Sequence, residues 1–191
     1  MLGMDVHGAT LGIIGMGRIG ASVARRARGF SMKILYADVS ETDMTQSVEK
    51  ETGAVRSDVM TLLCQSDIVT VHVPLTDRTK KMIGAREFAA MKKGAVFVNT
   101  SRGAVVDEIA LSEALSSGHL HAAGLDVFDE EPLPPNSPLM ALSNIVLAPH
   151  IGSASYATRS KMAVICAQNL LAGLRGERPQ NIVNPEVLGR S

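Results

Sequence analysis

The run Leu11-Gly12-Ile13-Ile14-Gly15-Met16-Gly17-Arg18-Ile19-Gly20 starts as a short apolar segment, breaks into three glycines spaced GxGxxG, and then takes on a helical pattern. It reads as a strand, a tight turn and the start of a helix. In such a unit Gly15 allows the turn, and Gly17 lets backbone N–H groups approach a pyrophosphate with no side chain in between. Gly20 lets the helix pack closely on the strand. The helix start at Arg18 and Ile19 then presents unpaired donors and a partial positive charge to the phosphates. The motif on its own is common, so its meaning depends on the segments around it.

A second apolar segment, residues 32–37, comes after the helix and ends in Asp38, 18 residues past Gly20. A carboxylate at this place accepts hydrogen bonds from the adenosine ribose and repels a 2′-phosphate, which favours NAD over NADP. Further strands are expected at residues 10–14, 54–56, 67–73, 95–99, 120–127 and 144–148. Helices are expected at 18–28 with Gly29 as the residue past its end, and at 42–52, 58–65, 85–93, 107–117 and 157–174. The last of these carries Met162, Ile165, Cys166, Leu170 and Leu174 as one apolar face. This alternation predicts an α/β fold with a doubly wound parallel sheet, a Rossmann dinucleotide-binding domain.

Composition narrows the partners. Lys plus Arg equals Asp plus Glu at 19 each, so no net field draws the chain to nucleic acid or to an anionic membrane. No apolar run approaches the ~20 residues of a bilayer span. The first residues lack the basic and apolar regions of a signal peptide, so a cytoplasmic location is expected. Cys64 and Cys166 fall in apolar helical patterns and are expected as buried free thiols, with no metal site.

Three strand ends carry a polar group suited to the reduction of a 2-oxo acid. Arg102 offers a planar fork for a carboxylate, and His150 can give and take a proton near neutrality. An acid beside the imidazole would fix its tautomer, and here the residues alone leave Glu130 and Glu131 equivalent. His72 closes a strand that stops at Pro74 and suits packing near the adenosine better than chemistry.

Four segments, Gly15–Gly20, Asn99–Glu108, Gly124–Pro132 and Pro149–Gly152, resemble in order the motifs of the D-isomer-specific 2-hydroxyacid dehydrogenases. The resemblance implies that Arg102 binds substrate, that the acid before the proline, Glu131, partners the histidine, and that His150 is the acid/base. It also implies that Thr100, Asp126 and the loop after His150, with Gly152 and Ser153, lie near the nicotinamide, and Ser101 is a further cofactor-binding candidate. His72, Val73 and Pro74 are implied to line the adenosine side, and Thr79 is a further cofactor-binding candidate. The branch it most resembles is that of the glyoxylate and hydroxypyruvate reductases, many of which prefer NADP; Asp38 departs from them.

The resemblance further implies a homodimer and a small 2-oxo or 2-hydroxy acid substrate. Residues 1–178 would form the NAD-binding domain, and 179–191 a tail leading towards a substrate domain that the chain largely lacks. Low turnover is then expected of these residues alone, because the cleft stays open to water. An NAD(H)-sensing, corepressor-like binding module shares these motifs and is the alternative reading. Other Rossmann enzymes would share the glycines without Arg102, Glu131 and His150.

Overall fold

In the computed structural model, which describes residues 3–189, strand β1 (Thr10–Ile14) lies inside a seven-stranded parallel sheet. The other strands are β2 (Lys33–Ala37), β3 (Val55–Arg56), β4 (Ile68–Val71), β5 (Val96–Asn99), β6 (Ala122–Leu125) and β7 (Ile145–Leu147). Their order is β3-β2-β1-β4-β5-β6-β7, so the direction of winding reverses between β1 and β4. In sheets of this kind ligands bind outside the carboxyl ends of the strands, at that reversal.

Pairing is in register along the carboxyl edge. Ile14 sits opposite both Ala37 and Val71, Val71 opposite Asn99, Asn99 opposite Leu125, and Leu125 opposite Leu147. Gly15, Asp38, His72, Thr100, Asp126 and Ala148 therefore leave the sheet along one rim.

Helices α1 (Arg18–Ala27), α2 (Asp43–Thr52), α3 (Val59–Gln65), α4 (Ala85–Ala90) and α5 (Glu108–Ser116) connect the strands. Parallel strands covered by helices on both faces need apolar side chains on both, and alternate residues of β1 supply them. Leu11 and Ile13 join Ala21, Ala24, Ala27 and Tyr36 in one cluster, while Ile14 joins Leu62, Leu63, Val71 and Phe97 in the other. Small residues let the helices come close: a Cβ on Gly12 would run into Leu62 and Ser66 of the α3 segment. Thr42, Asp58 and Asp107 cap α2, α3 and α5 with their side chains.

This unit ends at His150, and a second compact unit begins at Ile151. The second holds helix α6 (Tyr156–Leu174), capped by Ser155, whose Asn169 exchanges hydrogen bonds with Asn181. The contact boundary thus falls at 150, whereas the sequence reading put 1–178 together.

Three expectations need correction. Helix α1 gives way to a 3-10 turn over Arg28–Phe30, and Ser31, not Gly29, adopts the left-handed conformation (φ 54°). The turn continues because Ala27 and Met32 still pair across it. Both cysteines are exposed: α3 turns Leu62 and Leu63 inward and leaves Cys64 outside, and no residue of α6 is buried. Of the expected apolar face of α6, Met162, Leu170 and Leu174 are exposed and Ile165 is half-buried. No described helix is long and apolar enough to cross a membrane.

Candidate functional site

The rim divides into two regions, the first around the glycine turn. Gly15 has φ 97°, and a Cβ there would lie 2.8 Å from the carbonyl of His72. A Cβ on Gly20 would collide with the carbonyl oxygen of Gly15. These two glycines are demanded by the protein's own backbone. Gly17 is different: a Cβ there would meet nothing within 4 Å. It faces open space, as a position reserved for a ligand's approach should. Gly17 also stands at the start of α1 without a side-chain cap, so the first N–H groups of the helix point outward unpaired by any capping side chain.

A cavity of about 640 Å³ opens beside this turn, and Gly15, Gly17, Asp38, His72, Val73, Pro74 and Thr79 all line it. Ile14, Ala37, Val39, Val59 and Met82 add apolar walls. Asp38 is aimed by the turn itself: Oδ2 accepts the Met16 N–H at 2.7 Å, and Oδ1 takes a longer bond from the Ser40 N–H at 3.3 Å. Burial pushes the His72 imidazole below its ordinary pKa, which keeps it neutral. Its Nε2 meets the Thr70 hydroxyl at 3.0 Å, while Nδ1 is buried with no protein partner. The Thr79 hydroxyl donates to the Pro74 carbonyl at 2.6 Å and accepts the Thr76 N–H at 2.8 Å, so it shapes the loop that closes the cavity.

An open cradle at Gly17, a helix start without a side-chain cap, a carboxylate at the end of β2 and an unpaired buried ring nitrogen fit a dinucleotide. Arg18, Ile19 and Gly20 form the helix start behind the cradle. Ile19 is exposed.

The second region lies at the ends of β5, β6 and β7. Asn99 braces the loop after β5: its Nδ2 donates to the Arg102 carbonyl at 3.0 Å, and its Oδ1 accepts from the N–H and the hydroxyl of Ser101. Arg102 itself is exposed and donates to the Ser101 carbonyl at 2.6 Å. Thr100 is exposed, while Asp126 is buried where the Asp126 N–H donates to the Asn99 carbonyl. A Cβ on Gly103 would overlap the carbonyl of Phe128, so the arginine loop and the loop after β6 touch backbone to backbone.

The loop after β6 folds back on itself. Glu131 Oε1 accepts the Phe128 N–H at 3.1 Å, and Glu108 Oε1 accepts the Asp129 N–H at 2.7 Å. Burial holds the Glu108 carboxyl above the usual range. The other oxygen of Glu131 lies 2.7 Å from His150 Nδ1. Of the two neighbouring acids, Glu131 is the one that touches the imidazole. The hydrogen bonds from His150 and from the Phe128 N–H hold the Glu131 carboxyl below its usual range, aided by the charge of Arg102. An ionised carboxylate only accepts, so the proton of the pair sits on Nδ1 and leaves Nε2 to exchange protons.

His150 has φ 54°, a left-handed backbone uncommon for a residue with a Cβ, and its N–H donates to the Ala148 carbonyl. Strain of this kind concentrates at functional positions. Both side chains of the pair are partly exposed, and they border a second cavity of about 530 Å³ with Phe128, Leu133, Met140 and Leu147. Gly152 and Ser153 belong to the second unit.

Sequence reasoning assigned no role to Asn99, Gly103, Glu108 or Thr70. Asn99 and Gly103 stand inside one of the four motif segments, yet nothing in their spacing announces a brace or a close approach. The described residues contain no group of side chains that could hold a metal ion.

Residues 1–152 match the family model described as D-isomer specific 2-hydroxyacid dehydrogenase, NAD binding domain. The chain is 55% identical over 188 residues to a glyoxylate reductase of Korarchaeum cryptofilum, covering 98% of this chain and 56% of that protein. To glyoxylate/hydroxypyruvate reductase B of Cronobacter sakazakii it is 51% identical over 187 residues, covering 97% and 57%. Among solved structures, a glyoxylate reductase from Paecilomyes thermophila superposes with a TM-score of 0.83 at 41% identity, over 93% of this chain and 53% of that one. D-lactate dehydrogenase with NAD+ from Lactobacillus jensenii gives 0.84 at 31% identity, over 95% and 57%. The chain spans just over half the length of the curated relatives it matches.

Proposed function

Because the chain belongs to the D-isomer specific 2-hydroxyacid dehydrogenase family through its NAD-binding domain, we propose that it carries the cofactor site and the acid/base machinery of a small 2-oxo acid reductase. Glyoxylate and hydroxypyruvate are the proposed substrates, since relatives about half identical to it bear those names. The observation that carries the reading is the Glu131–His150 hydrogen bond, set on the same rim of the sheet as the glycine cradle.

NADH would supply the hydride, and this chain's residues would hold the cofactor, bind the substrate carboxylate and move the proton. Gly15, Gly17, Asp38 and the residues from His72 to Pro74 hold the dinucleotide, with Arg18, Ile19 and Gly20 behind the phosphates. Thr100, Ser101, Asp126, Gly152 and Ser153 are assigned to its nicotinamide end, and Thr79 to the adenosine end. Arg102 binds the substrate carboxylate and polarises the neighbouring carbonyl. His150 Nε2 delivers a proton to the carbonyl oxygen as the hydroxyl forms, and Glu131 stabilises the charged ring before that transfer and fixes its orientation throughout. The product is the 2-hydroxy acid, achiral glycolate from glyoxylate and the D isomer from hydroxypyruvate.

As part of the same reading the protein is a cytoplasmic homodimer, which light scattering and cell fractionation test. The activity is tested by titrating NADH and then following its oxidation with glyoxylate and with hydroxypyruvate. Weak turnover that requires His150 is expected of these residues alone, because the cleft stays open to water. NADH binding without turnover on any small 2-oxo acid would overturn the reductase reading in favour of an NADH-sensing module.

A further inference from the structure

Edge strand β3 is two residues long and pairs Tyr36 with Arg56, which sets Arg56 beside the end of β2, close to Asp38. The guanidinium reaches across that end. Nη2 donates to the backbone carbonyl of Asp38 at 3.0 Å, and Nη1 donates to Glu41 Oε1 at 2.8 Å. Both partners of the ion pair are open to solvent, with side-chain exposures of 36% and 57%. Asp38, Val39 and Ser57, the neighbours of this contact, line the larger cavity. A cation therefore stands at the rim where the ribose end of a nucleotide would be read, and a second acid neutralises it.

NADP differs from NAD by a 2′-phosphate on that ribose, and an arginine close by is the ordinary means of accommodating it. A guanidinium forks onto phosphate oxygens as it does onto a carboxylate, so Glu41 and a 2′-phosphate would compete for the same donors. We propose that Glu41 is a specificity-determining residue which, by pairing with Arg56, withholds from the cavity a cation able to bind the 2′-phosphate. Exclusion of NADP then rests on two acids: Asp38 repels the phosphate directly, and Glu41 occupies the group that would welcome it. With Glu41 neutral, the summed charge of Asp38, Glu41 and Arg56 rises from −1 to 0, while the bond to the Asp38 carbonyl keeps the guanidinium at the rim. The proposal rests on the larger cavity being the dinucleotide site.

The test is a fluorescence titration with NADH and with NADPH of the unaltered chain, Glu41→Gln, Arg56→Ala and the double variant. Circular dichroism melting would confirm that these exposed changes leave the fold intact. Glu41→Gln is expected to tighten NADPH binding by about three- to tenfold, with NADH affinity held within about twofold. Adding Arg56→Ala is expected to erase that gain, and the double-mutant cycle isolates the pairwise contribution. Unchanged NADPH affinity in Glu41→Gln, or an equal gain with and without Arg56, would overturn the proposal while NADH binding upholds the cavity assignment. Failure of the unaltered chain to bind NADH would overturn the cavity assignment and the proposal with it.

Discussion

The two regions of the rim are built by opposite means. Around the glycine turn the decisive positions are ones where a side chain is forbidden or left out: Gly15 and Gly20 because backbone stands there, Gly17 because space is kept there. At the ends of β5 to β7 the decisive atoms belong to side chains, Arg102, Glu131 and His150, which project from loops and stay accessible. One region is specified by shape and the other by chemical groups held in place by hydrogen bonds. Damage to the first should therefore read out as lost affinity or stability, and damage to the second as lost rate.

The largest expected effect separates rate from binding. His150→Gln should lower kcat for glyoxylate reduction by about 10²- to 10⁴-fold, while NADH titration shows near-normal affinity; a parallel loss of NADH affinity would break the division. Gly20→Ala tests the other side. Its new Cβ meets the Gly15 carbonyl, and the turn must shift at a cost of about 1–3 kcal/mol. NADH affinity measured by fluorescence should fall by about ten- to a hundredfold, with kcat at saturating cofactor much less changed.

Gly103→Ala should blur the distinction, because it lies among the chemical groups yet is specified by shape. A methyl there overlaps the Phe128 carbonyl. Urea denaturation should show about 1–3 kcal/mol of lost stability, and kcat should fall with it. An unchanged midpoint would show that the two loops are not in register.

The smallest effect concerns pH. The Glu131 carboxyl is held below its usual range, so the folded state keeps it ionised at pH values where the unfolded chain begins to take up a proton. Its contribution to stability is present in full above the ordinary glutamate value of about 4.3 and is lost as pH falls through the depressed folded value. Because the pair is partly exposed, the contribution is about a few tenths of a kcal/mol. Urea midpoints of the unaltered protein and Glu131→Gln should converge in strong acid and differ slightly near neutrality.

The shape-built region was legible in the sequence because its rule is positional: three glycines at fixed spacing, joined by an acid at the end of the next strand, suit few structures besides a dinucleotide cradle. The chemical region was legible only in part. Strand ends pointed to Arg102 and His150, but the residues alone left Glu130 and Glu131 equivalent, and only the family resemblance singled out Glu131, whose 2.7 Å contact with His150 depends on how the loop after β6 folds back. Exposure of Cys64 turned on one step of helix rotation past Leu63, finer than an apolar pattern resolves. The expected end of α1 at Gly29 failed because a 3-10 turn prolonged it to a serine in the left-handed conformation, a position glycine would ordinarily claim. On α6, periodicity registered an apolar face, while no residue of that helix is buried.

The contact between Gly103 and the Phe128 carbonyl acts as a dowel between two loops that come from different strands. With no clearance for a methyl group, the roots of Arg102 and Glu131 are machined to a common tolerance. The larger cavity, by contrast, has slack at Gly17. For anyone building variant libraries on this scaffold, loop lengths after β5 and β6 form one coupled variable, to be changed together or left alone. In the lining of the larger cavity Val39 is exposed and open to change, whereas Val59 and Met82 also pack against the core.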